Sequence, residues 1–136
     1  MSGKIVIAVD FDGTVVAHRY PLVGPEVPHA VRWLREFVRA GADLILWTMR
    51  SSGRSDGTDP LADAVAWYES RGIPLYGVNS NPSQSSWTAS PKAYANLYID
   101  DAAIGCPLVT IPELGRRPVV DWQIVGPIVL KIIKAQ

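Results

Sequence analysis

The sequence predicts an α/β domain with a central, mostly parallel sheet, and three observations carry that prediction. Short apolar runs alternate with helix-like stretches along the whole chain. The first run, Lys4 to Val9, is nearly all apolar, as expected for a central strand covered on both faces. Two loose polar loops, Arg50 to Thr58 and Asn79 to Ser90, each follow a strand-like run directly. They therefore belong at the carboxyl edge of the sheet, where open α/β folds bind their ligands. The 136 residues fit one domain, 1–136, large enough to fold on its own core.

The elements follow in order. After the first strand, Val27, Val31, Leu34 and Val38 recur at helical spacing and predict an amphipathic helix ending near Gly41. Asp43 to Thr48 reads as a second buried strand. Asp59-Pro60 is a helix start, a capping acid followed by proline at the first helical position. Leu61, Val65 and Tyr68 are the expected inner face of that helix, which runs to Gly72. Ile73 to Val78 predicts a third strand, Ala95 to Ile99 a fourth and Leu108 to Ile111 a short fifth. A bent helix is expected from about Asp121 to the end, interrupted by Gly126-Pro127.

Bulk properties narrow the class of function. Thirteen basic and thirteen acidic residues balance, so nothing in the net charge favours nucleic acid or an anionic membrane as partner. The single cysteine, Cys106, forms no internal disulfide, and a cytoplasmic location is the expectation. The N-terminal run reaches Asp10 too early for a signal peptide, and the apolar stretch Ile124 to Ile133 is too short and too broken to span a bilayer. A soluble protein is expected. The apolar residues Ile128, Val129, Leu130, Ile132 and Ile133 are assigned to the core, with a homo-oligomer interface as the alternative.

Chemistry concentrates at the strand ends. The first strand delivers Asp10 and Asp12 ahead of Gly13, the second Thr48, and the fourth Asp100 and Asp101, with Lys92 on the segment feeding into it. Carboxylates at two adjacent strand ends suit a hard cation such as Mg²⁺. A hydroxyl and an ammonium suit phosphoryl oxygens.

In Asp10-Phe11-Asp12-Gly13-Thr14, in Thr48 closing an apolar strand, in Lys92 and in the pair Asp100-Asp101, the chain resembles the haloacid dehalogenase superfamily of aspartate-nucleophile phosphotransferases. The resemblance implies a Rossmann-like three-layer sandwich. It implies Asp10 as the nucleophile forming an aspartyl-phosphate and Asp12 as general acid and then base. Thr48 and Lys92 would hold the phosphoryl group. Mg²⁺ would be held by Asp10, the Asp12 carbonyl and Asp100, with Asp101 acting directly or through water. An aspartate at position 12 favours a phosphatase over a dehalogenase or an ion pump. The gaps 15–26 and 79–90 are too short for a folded cap, so a capless core with an open site is expected.

The expected activity is a Mg²⁺-dependent phosphomonoesterase for a small phosphorylated metabolite or nucleotide. The alternatives are a phosphatase for nucleic-acid- or protein-linked phosphate and a non-catalytic phosphate-binding scaffold. A phosphoryl-accepting receiver is disfavoured because the third strand ends in Gly77-Val78-Asn79, without an acid. Arg50, His18, Arg19 and Asn79 are the candidate substrate contacts, with Trp87 a candidate stacking platform.

Overall fold

A computed structural model describes residues 4–136. Strand β1 (Val6–Val9) is buried throughout and lies at the centre of the sheet. On one side it pairs in parallel with β2 (Asp43–Leu46), Val6 opposite Asp43 and Val9 opposite Leu46. On the other it pairs in parallel with β4 (Leu97–Ile99), Val9 opposite Ile99. Strand β3 (Gly77–Val78) extends the sheet beyond β2, giving the order β3-β2-β1-β4. The result is a four-stranded parallel sheet flanked by helices, consistent with a Rossmann-like fold.

That order explains where the helices go. Crossovers between parallel strands are right-handed, so the steps β1 to β2 to β3, which move in one direction, put their helices on one face. Helix α1 (Ala30–Arg39) and helix α2 (Pro60–Ser70) are those connections. Leu34 and Phe37 of α1 and Ala64, Trp67 and Tyr68 of α2 join Ile7, Val9, Leu44 and Leu46 in one core. The step from β3 to β4 reverses direction and crosses the other face. It contains no α-helix, only a 3₁₀ turn (Gln84–Ser86). Ala93 and Ala95 of this segment pack on Val6, Ala8 and Ile45, with Trp47 and Tyr76 against them. The buried Gln84 side chain holds the segment in shape: it donates to the carbonyls of Ser90 and Lys92 and accepts from the Tyr94 amide. The third layer of the expected sandwich is thus irregular chain.

The helix starts are encoded locally. Asp59 accepts from the Ala62 amide and caps α2, with Pro60 at its first position. The inner face of α2 is rotated from the expected one. Trp67 and Ala64 are buried with Tyr68, while Leu61 and Val65 lie at its margin. Helix α3 (Trp122–Lys134) is capped by Asp121 and contains Pro127. Val129 and Ile133 enter the core and Leu130 packs at its edge, whereas Ile128 and Ile132 remain exposed. The fifth strand is shorter than expected and leaves the main sheet. Strand β5 (Leu108–Val109) pairs antiparallel with β6 (Val119–Val120), a strand the sequence reading does not contain. No helix among the described residues is long and apolar enough to cross a membrane.

Candidate functional site

The sheet changes direction between β1 and β4, and the chain leaves these neighbouring strands carrying Asp10 and Asp100 side by side. Carboxylate oxygens of Asp10, Asp100 and Asp101 all lie within 4.8 Å of one another. This is the topological switch point, where strand ends open a crevice in parallel sheets. The Asp10 amide donates to the Ile99 carbonyl (2.9 Å), which fixes the two strand ends in register.

Each acid has its own support. Thr14 is fully buried, and its hydroxyl donates to Asp10 Oδ2 (2.9 Å) while accepting from the Asp101 amide (3.2 Å). Burial pushes the Asp10 carboxyl up to about 8; the hydrogen bond to Asp101 and the charge of Asp100 push the same way, and Thr14 opposes them. Burial, with the Asp10 charge adding to it, also raises the Tyr68 phenol. Gly13 has a positive φ of 82°, and a Cβ there would overlap the His18 ring and crowd Asp101. Glycine is therefore required both by the turn and by the packing of His18 on the acids. His18 Nε2 lies 3.2 Å from Asp101 Oδ2.

Asp12 points to the opposite side of the loop and meets Arg50. The guanidinium binds both carboxylate oxygens, Nε to Oδ2 at 2.8 Å and Nη2 to Oδ1 at 2.7 Å. Its remaining N–H groups donate to the carbonyls of Pro21, Leu22 and Pro60. Its Cζ lies over the Phe11 ring at 4.9 Å and over the Tyr20 ring at 5.3 Å. Only 1% of the Arg50 side chain is exposed, against 20% for Asp12.

Two connected clefts open on this arrangement. The smaller, about 340 Å³, is lined by Asp10, Trp47, Thr48, Met49, Asn79 and Asp100. The larger, about 540 Å³, extends from the same acids past Asp12, His18 and Tyr20 to Arg117. Thr48 stands where both meet. Its amide donates to Asn79 Oδ1 (2.7 Å) and its hydroxyl accepts from the Arg50 amide (3.1 Å), which leaves the hydroxyl proton free for a ligand. Asn79 holds this position with a positive φ of 53°, a conformation asparagine tolerates.

A solved structure of a conserved protein from Bacteroides thetaiotaomicron is similar to this one, with a TM-score of 0.74 and 32% sequence identity over 95% of this chain and 92% of that one. The chain belongs to the same family as that conserved protein. No family model matches the sequence, and no curated protein does.

The structure brings Asp10, Asp12, Thr48, Asn79, His18, Asp100 and Asp101 to the clefts of this family member. It does not bring Lys92 there. The Lys92 ammonium lies 5.4 Å from the centre of the Tyr98 ring, and Tyr98 pairs with Ala8 on the sheet face away from the helices. Arg50 reaches the cleft wall, but all five of its N–H groups are spent inside the protein, so it is a support for Asp12 rather than a substrate contact. Arg19 turns away from the acids and donates to the Leu114 carbonyl (3.0 Å). Trp87 packs edge-on against Tyr94, outside both clefts. Trp47, Met49 and Arg117 also line the clefts and are not among the residues expected from the sequence. The first two flank Thr48, and their position beside a strand-end threonine was the available signal. Arg117 carried none, because its place depends on the unforeseen strand β6.

Proposed function

We propose that this chain is a Mg²⁺-dependent phosphomonoesterase working through an aspartyl-phosphate on Asp10, with a small phosphorylated metabolite or nucleotide as substrate. The observation that carries the reading is the gathering of Asp10, Asp100 and Asp101 within 4.8 Å, beside a free threonine hydroxyl, at the switch point of a parallel sheet. An all-carboxylate donor set fits a hard divalent cation, and the Asp10 carboxyl, raised first by burial and then by its neighbours Asp101 and Asp100, would be favoured in its charged form by such an ion. When bound, Mg²⁺ would offset the repulsion between these acids and an incoming phosphoryl group.

The side chains then divide the work. An Asp10 oxygen attacks phosphorus as the bond to the leaving oxygen breaks, and Thr14 holds the carboxylate in the attacking orientation. Thr48 donates to a phosphoryl oxygen. Asp12 delivers a proton to the leaving oxygen and later takes one from the water that releases phosphate. The Arg50 fork donates to both Asp12 oxygens and holds that carboxylate in place.

That same fork favours a second reading, a phosphate-binding protein in which Asp12 stays clamped and no ester is cleaved. Incubating the full chain with sugar phosphates, nucleotides, phosphorylated oligonucleotides and phosphopeptides separates the two. Phosphate release with Mg²⁺, abolished by chelation and by Asp10→Asn, is expected. Binding without release from any of these compounds would favour the second reading.

A further inference from the structure

We infer that Arg117, on the loop between β5 and β6, is the cation that receives the phosphoryl group at this site. The inference rests on the phosphate-ester reading and adds to it the residue that recognises the charge.

Electrostatics call for such a group. With a divalent cation among Asp10, Asp100 and Asp101, one negative charge is left over, and Asp12 cancels Arg50. A phosphate monoester brings about −1.5 to −2 at neutral pH. A water-accessible cleft in this state repels its ligand unless a further positive side chain faces it. Among the described residues lining the clefts, the arginines and lysines are Arg50 and Arg117. Arg50 has no N–H to spare. Lys92 lies over Tyr98, Arg54 is held by Asp56 and the Tyr20 hydroxyl, and Arg19 by the Leu114 carbonyl. Arg117 makes no hydrogen bond or ion pair among the described residues, and its guanidinium has the planar fork that grips two phosphoryl oxygens at once.

The loop that carries it is built into the site. The Val120 amide, three residues on, donates to the Gly13 carbonyl (3.1 Å). The Trp122 indole donates to the Thr14 carbonyl (2.8 Å), and the Asp121 amide to Pro107 (2.9 Å). On the near side, Arg19 ties the loop through Leu114 to the flap, residues 15–26, that bears His18. The Asp10–Thr14 turn, the flap and the Arg117 loop are thus hydrogen-bonded to one another. This holds the backbone that carries the exposed Arg117 side chain at a set place beside the acids.

The test is binding of inorganic phosphate to the full chain with saturating Mg²⁺, by calorimetry, alongside KM for whichever monoester is turned over. Arg117→Ala is expected to weaken phosphate binding at least tenfold and to raise KM in parallel, with Arg117→Lys restoring part of both. Arg116→Ala, the neighbouring exposed arginine outside the clefts, is expected to bind as the parent does. Phosphate binding unchanged in Arg117→Ala, or lost equally in Arg116→Ala, overturns the assignment even where esters are hydrolysed. Arg117-dependent phosphate binding in a chain that hydrolyses nothing upholds the assignment and sinks the phosphatase reading alone.

Discussion

A guanidinium with 1% of its side chain exposed must find a partner for every N–H, and Arg50 finds them in Asp12 and three backbone carbonyls. The partners come from the Asp-x-Asp loop, the flap and the start of α2, so one side chain joins three segments. Nothing in the sequence announces this. Two residues beyond a strand-end threonine, an arginine reads as a rim cation, and its partners lie 38, 29, 28 and 10 residues away. The positions of Asp10, Asp12 and Asp100 at the clefts were legible because they follow from a strand end and a glycine turn, both local features. Replacing Arg50 by alanine strands a half-buried carboxylate and three carbonyls, and should cost about 3–5 kcal/mol, read by urea unfolding. Arg50→Lys keeps the charge but not the two parallel bonds. If the fork orients Asp12 for proton transfer, Arg50→Lys should lower kcat severalfold or more and leave KM nearly unchanged. A rise in KM at constant kcat would instead make Arg50 a binding residue.

At the scale of elements, legibility followed the length of the apolar run and the presence of a cap. β1, β2, α1 and both capped helices stand close to where the pattern puts them. β3 shrinks to two paired residues: Pro74 lacks the N–H a ladder needs, and Leu75 is partly buried against the main core. β6, two valines after a proline, is too short for any periodicity and exists only through its pairing with β5. The rotated face of α2 reflects Trp67, whose ring meets Phe11 edge-on at 5.7 Å and outweighs Leu61 and Val65 for the interior. The seam between α1 and α3 yields a prediction of its own. Gly126 lies against the Trp33 ring, and a Cβ there would overlap it. Gly126→Ala gains roughly 1 kcal/mol of helix preference but overpacks the seam, at a cost of roughly 1–3 kcal/mol. A net loss of stability is expected, with a second change, Trp33→Leu, restoring part of it. Stabilisation by Gly126→Ala alone would show that the seam yields freely.

For the molecule as a whole, topology makes the acid cluster: reversing the strand order between β1 and β4 puts two strand-end carboxylates beside each other, and folding then forces them together. Part of the stability is thereby tied to protons. The Asp10 carboxyl is raised from its ordinary 3.8 to about 8, first by burial, then by its bond to Asp101 and the charge of Asp100. Between these values the folded chain holds a proton that the unfolded chain has released, so the folded state binds more protons and stability falls as pH rises. Below pH ~4 both states are protonated and the contribution is fully present; above ~8 it is gone. Metal-free protein should therefore lose Tm steadily from pH 5 to 8. Asp10→Asn, which cannot ionise, should flatten that slope. A cation bound among the three acids would take the place of the proton, so the Tm gained on adding Mg²⁺ should be larger at pH 8 than at pH 6, with proton release measurable by calorimetry in buffers of different ionisation enthalpy. Equal gains at both pH values would mean that cation and proton do not compete for Asp10, and that the ion sits elsewhere.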